Sequence, residues 1–366
     1  MNNKKIVWSA VIVIIVVLVV GVFVQGKDKS PSEQVRVGVI MPLTGGIAKT
    51  GADAKIGLEI AQSDFPEANI SLVFEDDAFV PKESVTVFNK IAGMKDVVAV
   101  IGPLNGSSIE SVRPLAVQNK LPLFTPWGAG NDMGDYVYKN SVEGGDEAKI
   151  MADKANSLGY KKLAIIYLQN DFGLKYLNSF KVAVPNNGGS VVAEEPAPFG
   201  TADFRTALTK IKAAKPDALY IVNTSVSVAE IAKQAAELGL HIPLLSQYST
   251  ESPDLIKIGG QSLEGMIYTF PINESALTNK QKVFISEFKK RTGDEPQIIA
   301  YNAYDIYVVI SEAVEVCKID KVCVNNYLSN IKGFDGVGGK FSIKDGKLVR
   351  EFYFKTIQDG KFISLK

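Results

Sequence analysis

The chain of 366 residues is poor in the side chains that do covalent or metal chemistry. Its single histidine, His241, sits in LGLHIPLL behind a helix end, and its two cysteines, Cys317 and Cys323, stand six apart in CKIDKVC. One histidine and two neighbouring cysteines cannot assemble a zinc site or a Ser-His-Asp triad. GGIAKT at Gly45–Thr50 lacks the spacing of a Walker-type phosphate loop. Gly128-x-Gly130-x-x-x-Gly134 lacks the immediate helix and close-packing glycine of a dinucleotide loop. The acidic run Glu75-Asp76-Asp77 reads as a solvated strand end rather than as a general acid and base. The expectation is therefore a binding protein, without catalytic residues, metal or cofactor.

The stretch that promises binding runs from Val97 to Asn131, VVAVIGPLNGSSIESVRPLAVQNKLPLFTPWGAGN. It reads as a strand over Val97–Ile101, a loop, a helix to about Asn119 capped by Ser107 or Ser108, a strand over Leu121–Phe124 and a second loop. In a parallel sheet both strands deliver their C-terminal ends to one edge. The loops Pro103–Ser108 and Thr125–Asn131 then lie side by side, and one of them opens a helix whose free N–H groups favour an anion. A small ligand with a negative group is expected there.

The elements that must position these loops follow an α/β rhythm. Probable strands are Val35–Ile40, Ile70–Glu75, Leu163–Tyr167, Ser190–Glu194, Ala218–Val222, Leu244–Ser246 and Gly265–Thr269, besides the two above. Helical patterns fill the gaps at Ala52–Phe65, Lys82–Met94, Glu147–Leu158, Leu174–Val184, Ala202–Ala213, Val228–Leu238 and Gln281–Arg291. Such alternation predicts right-handed crossovers and mostly parallel sheets covered on both faces. Polar and glycine residues break the rhythm near Asn140–Gly145, so two lobes are expected. The tail differs: Gly339–Ile343 and Leu348–Lys355 read as antiparallel strands, with Asp345-Gly346 and Asp359-Gly360 as turns.

The first thirty residues are a separate object. Lys4-Lys5 precede nineteen uncharged residues from Ile6 to Val24, enough to span a hydrocarbon core as a helix. With no Ala-x-Ala site and no nearby cysteine, the expectation is an uncleaved transmembrane anchor, residues 1–30 with the linker, and the rest outside the cytoplasm. Secretion after signal cleavage is the alternative. Beyond Ser30, 36 basic residues face 39 acidic ones, a balance of about −3, so no nucleic-acid surface is expected. Two cysteines in an extracytoplasmic chain suggest a small disulfide loop, with two free core thiols as the alternative.

Read together, several stretches resemble the solute-binding proteins of ABC importers of the branched-chain amino acid (leucine/isoleucine/valine) type, with the periplasmic binding protein type I fold. They are VRVGVIMPLTGGIAKTGADAKIGLEIA, FEDDAFVPKESVTVFNKI, VAVIGPLNGSS, LPLFTPWGAG, LAIIYLQNDFG, ADFRTALTKIKAAKPDALYIV, IAKQAAELGL and AYNAYDIYVVISEAV. The resemblance covers nearly all of 35–366 and rests on the order and spacing of these pieces. It implies two Rossmann-like lobes joined by three crossing segments and closing by hinge motion on a ligand between them. One lobe would take 35–142 plus 272–331, the other 143–271 plus 332–366.

The resemblance also assigns a ligand-binding set. The carboxylate-binding serine of the family falls on Gly106, beside Ser107, and a second hydroxyl donor falls on Ala129. Trp127 takes a small-residue position in the loop that also holds Gly128. An aromatic at the mouth is replaced by Thr50, and Phe172 keeps the family's aromatic in the second lobe. Thr224 and Tyr248 stand where the family has a second aromatic and the carboxylate that meets an ammonium, and Glu251 is a candidate substitute for that carboxylate. Tyr301 and Tyr304 are expected to pack between lobes. The implied function is capture of a small solute, an amino acid of the branched-chain class or a related carboxylate or amide, for an ABC permease. A monomer is expected, held to the membrane by its N-terminal helix. The alternative from another class is a ligand-sensing receptor domain that signals to a membrane or regulatory partner.

Overall fold

The structure, a computed structural model, describes residues 35–127, 134, 136–142, 144–344 and 347–365. The expected membrane anchor lies outside these residues, as do Gly128 and Ala129. Among the described residues no helix is long and apolar enough to cross a membrane.

The β-branched runs of the first part form an all-parallel five-stranded sheet in the order β2-β1-β3-β4-β5. Its strands are β1 (Val35–Met41), β2 (Ile70–Asp76), β3 (Val97–Ile101), β4 (Leu123–Thr125) and β5 (Val137–Lys139). Strand β3 is apolar throughout and wholly buried, as a strand covered on both faces must be. The crossover helices are α1 (Ala48–Asp64), α2 (Pro81–Ala92) and α3 (Gly106–Gln118).

The second sheet runs β15-β14-β10-β9-β8-β6-β7. Its parallel part is β6 (Lys162–Leu168), β7 (Ser190–Ala197), β8 (Ala218–Val222), β9 (Leu244–Ser246) and β10 (Ile267–Phe270). The hairpin of β14 (Tyr353–Gln358) and β15 (Lys361–Ser364) joins β10 antiparallel. Around it lie α4 (Gly144–Ser157), α5 (Asp171–Asn186), α6 (Arg205–Ala213), α7 (Ser225–Glu237) and α8 (Pro253–Gly259).

After β10 the chain returns to the first sheet as α9 (Asn279–Thr292), α10 (Ile298–Cys317) and α11 (Lys321–Leu328). Helix α10 is buried nearly all round, packs along α1 and reaches β3 and β4. The approach to α1 is so close that a Cβ on Gly57 would lie 2.3 Å from the Ala300 carbonyl oxygen. Tyr304 donates to Asp64 at 2.9 Å and Tyr301 packs its ring 4.8 Å from Phe284. Tyr304 thus packs within this first body rather than between two. A disulfide joins Cys317 at the end of α10 to Cys323 in α11.

Three local expectations are corrected. The strand expected over Leu348–Lys355 is two: β13 (Lys347–Arg350) pairs with β12 (Gly339–Lys344) and, through it, with β11 (Phe334–Gly336), whereas β14 belongs to the second sheet. Each half carries its own buried cation, Arg350 and Lys355, and these cations have different partners. The cap of α3 is Asn105, whose side chain accepts the Ser107 N–H at 3.0 Å, not Ser107 or Ser108. Asparagine two residues before Ser107 offers the same kind of acceptor and lets Gly106 open the helix. Helix α6 begins at Arg205 rather than Ala202, because the Asp203 carboxylate accepts the Arg205 N–H and Phe204 is buried before the first turn.

Candidate functional site

The two loops singled out in the sequence start side by side, the second being described as far as Trp127. Strands β3 and β4 are neighbours, and the buried Thr125 hydroxyl donates to the Pro103 carbonyl at 2.6 Å, tying one loop to the other. The first loop leaves the sheet through Gly102 at φ +92°, where a Cβ would stand 2.0 Å from the Ile40 carbonyl oxygen. Gly106 then lies half-buried in the first turn of α3 and Ser107 is exposed. Ser108, unremarked among the expected ligand residues, is fully buried and its Oγ has no partner. Trp127 is half-buried against the core, and the Pro126 carbonyl before it accepts from Asn302 at 3.1 Å. Thr50 sits half-buried in the first turn of α1, on the same C-terminal edge of the sheet.

The residues expected from the second body also stand at the C-terminal ends of their strands. Phe172 is half-buried in the first turn of α5, its ring 4.8 Å from that of Tyr176. Thr224 is exposed and serves as the cap of α7, its hydroxyl accepting the Ser227 N–H. Ser225, next to it, is occupied by the Thr250 carbonyl at 2.7 Å and by Ser252. Tyr248 is buried in the turn after β9 and its N–H donates to Glu147 Oε1 at 2.7 Å.

Glu147 is the residue that sequence reasoning missed. It is fully buried near the start of α4 and accepts from the Tyr248 N–H, from the Tyr176 hydroxyl and from the Thr269 hydroxyl. Burial outweighs these three donors and pushes its carboxyl up to about 7. Tyr176, Tyr248 and Thr269 come from three other elements, so no local pattern marks Glu147. Glu251 follows the Tyr248–Thr250 turn, and Ser252 after it caps α8. The Glu251 carboxylate is paired with Lys355, only 2% exposed, and bonded by the Tyr268 hydroxyl, while Lys355 also pairs with Glu274.

A second polar cluster gathers around Arg350. Arg350 Nη2 donates to Asn140 Oδ1 at 2.6 Å and Nη1 to Asn302 Oδ1 at 3.2 Å. Asn140 follows β5, and Asn302 is the residue that holds the Pro126 carbonyl, so Arg350 is one link from the Trp127 loop. Asp305 on α10 accepts the N–H groups of Val337 at 2.7 Å and Gly338 at 2.9 Å. Burial raises its carboxyl to about 7 and lowers the Arg350 guanidinium to about 10. His241 is exposed, and among the described residues no group of three His, Cys, Asp or Glu is placed to hold a metal ion.

This arrangement has known counterparts. A family model described as periplasmic binding protein matches residues 34–361. The chain is 25% identical over 292 residues to a Leu/Ile/Val-binding protein homolog of Brucella melitensis, covering 77% of this chain and 78% of that one. The crystal structure of a leucine-binding protein from Thermotoga maritima superposes with a TM-score of 0.79 at 25% identity, over 91% of this chain and 98% of that one. A branched-chain amino acid transporter substrate-binding protein from Streptococcus pneumoniae, in complex with isoleucine, shares the fold with a TM-score of 0.78 at 21% identity, over 90% and 98% of the two chains.

Proposed function

Because the chain belongs to the periplasmic binding protein family, we propose that it captures a small solute between its two sheet edges for uptake by an ABC transporter, outside the cytoplasm. It is a binding protein for transport and not an enzyme. The solute class is an amino acid of the branched-chain type or a related carboxylate or amide. One lobe is formed by 35–142 with 272–331 and the other by 143–271 with 332–366, and closure of one on the other sequesters the solute. The apolar run from Ile6 to Val24 tethers a monomer to the membrane, so that the cleft stays near its permease.

The observation that carries this reading is the convergence of loops at two C-terminal strand edges, the place where open α/β sheets bind ligands. The Thr125–Pro103 bond fixes the first pair of loops, and Glu147 fixes the Tyr248 turn of the second edge. In this reading the Gly106–Ser107 amides and the Trp127–Ala129 loop take the anionic end, and Phe172, Tyr248 and the turn at Thr224 close over the remainder. Thr50 lies at the mouth.

A thermal-shift screen of the full chain against amino acids and organic carboxylates tests it. At least one solute is expected to raise Tm by several degrees, since ligand at a hundredfold excess over Kd stabilises by about 2.7 kcal/mol. The joint variant Trp127→Ala with Tyr248→Ala is expected to lose that shift. An unchanged shift in the variant would place the solute elsewhere.

A further inference from the structure

Among the described residues, the buried side-chain atoms without a hydrogen-bond partner are Ser108 Oγ, Tyr220 Oη, Asn223 Nδ2 and Arg350 Nε. The Tyr220 ring lies inside the second core, 4.9 Å from Phe180. The other three lie on or beside elements of the proposed cleft. Ser108 is in the first turn of α3, Asn223 directly follows β8 and precedes the Thr224 cap, and Arg350 bridges Asn140 and Asn302. Asn223 has its other amide atom engaged, since its Oδ1 accepts the Thr224 N–H at 2.9 Å.

Their chemistry is one-sided. An amide nitrogen and a guanidinium nitrogen only donate, and a serine hydroxyl can donate. Arg350 is also a buried cation without an ion pair among the described residues. Its hydrogen-bond acceptors are two neutral asparagines, and both oxygens of the nearby Asp305 are taken by backbone N–H groups. Asp305 therefore acts on Arg350 through space without bonding it, and a buried guanidinium so placed gains from a directly bonded anion. The two acids buried at the second edge offer an ammonium little: Glu147 already has three donors, and Glu251 has Lys355 and Tyr268.

We propose that Arg350 is a specificity-determining residue of the cleft, and that its free Nε–H, with Asn223 Nδ2 and Ser108 Oγ, selects a carboxylate solute that carries no ammonium group. This rests on the solute-binding reading above and narrows it. An ordinary amino acid brings three N–H donors to a place already rich in donors, whereas a deaminated carboxylate brings only acceptors. Tyr248 lies within electrostatic reach of Arg350.

Calorimetric titration of the full chain with matched probes tests the proposal: 4-methylpentanoate, its amide 4-methylpentanamide and its amino derivative L-leucine, with benzoate and benzamide as a second pair. A carboxylate is expected to bind at least about tenfold tighter than its amide, the usual weight of a hydrogen bond to a charged group, and tighter than leucine. Arg350→Gln is expected to bring the carboxylate-to-amide ratio close to one, and Arg350→Lys to restore part of it. Equal weakening of acid and amide would show that Arg350 only braces the fold and would overturn the proposal. Leucine binding tighter than 4-methylpentanoate would overturn it while leaving the solute-binding reading intact. Failure of every probe and of a wider solute panel would remove that reading and the proposal with it. If both Arg350 variants fail to fold, Asn223→Ala, which makes no contact with Arg350's asparagines, is expected to weaken the carboxylate more than the amide. An unaltered ratio there would overturn the assignment.

Discussion

At the scale of single residues, Glu147 decides how the second edge responds to pH. Its carboxyl titrates near 4.5 in the unfolded chain and is pushed up to about 7 by burial in the folded one. Below about 4.5 both states hold the proton. Between 4.5 and about 7 the unfolded chain has released it and the folded chain has not, so stability falls as pH rises across that window, by up to about 3 kcal/mol. Glutamine is close in shape to the protonated acid and does not titrate. The melting temperature of Glu147→Gln is therefore expected to match the wild type near pH 5 and to exceed it increasingly toward pH 7.5. A difference that stays constant across that range would contradict the account. Residues of this kind were the least legible in the sequence: Glu147 meets Thr269 at a separation of 122 residues, and Arg350 meets Asn140 at 210. Residues whose role is local were easier. Pro126 ends β4, whose last residue is Thr125 rather than Phe124; the Thr224 hydroxyl caps α7, and Ser225 beside it bonds the Thr250–Ser252 turn.

At the scale of elements, α1 and α10 make a close helix packing beneath the first edge. Gly57→Ala places a Cβ against the Ala300 carbonyl, where backbone must move. Overpacking of this kind costs about 1–3 kcal/mol, and the expected result is a Tm lower by several degrees. Unchanged Tm would mean that α1 and α10 sit further apart. The Cys317–Cys323 bridge closes a loop of six residues between α10 and α11. Reducing it, or Cys317→Ser with Cys323→Ser, is expected to lower stability by roughly 2 kcal/mol in urea unfolding without loss of the fold. The strands and crossover helices were readable because their burial repeats locally, as in the wholly buried β3. The three-residue β5, the short α8 and α11, and the division of the tail between two sheets were not, because few residues fix them and distant partners decide where they go.

At the scale of the whole molecule, a parallel sheet and a mostly parallel one present loop-bearing edges, and the chain passes between them after β5, after β10 and again between α11 and β14. The last passage carries Arg350, and the middle one carries Glu274, bound by Lys355 of the second sheet. Native mass spectrometry of the full chain, released from detergent and exposed to amino acids, carboxylates and amides, asks the central question directly. The account predicts a complex of one small solute per chain that survives gentle ionisation, is lost on unfolding, and is weakened when Trp127 and Tyr248 are both alanine. A chain that retains none of them at millimolar concentration, or one whose adduct is indifferent to those two residues, would contradict it.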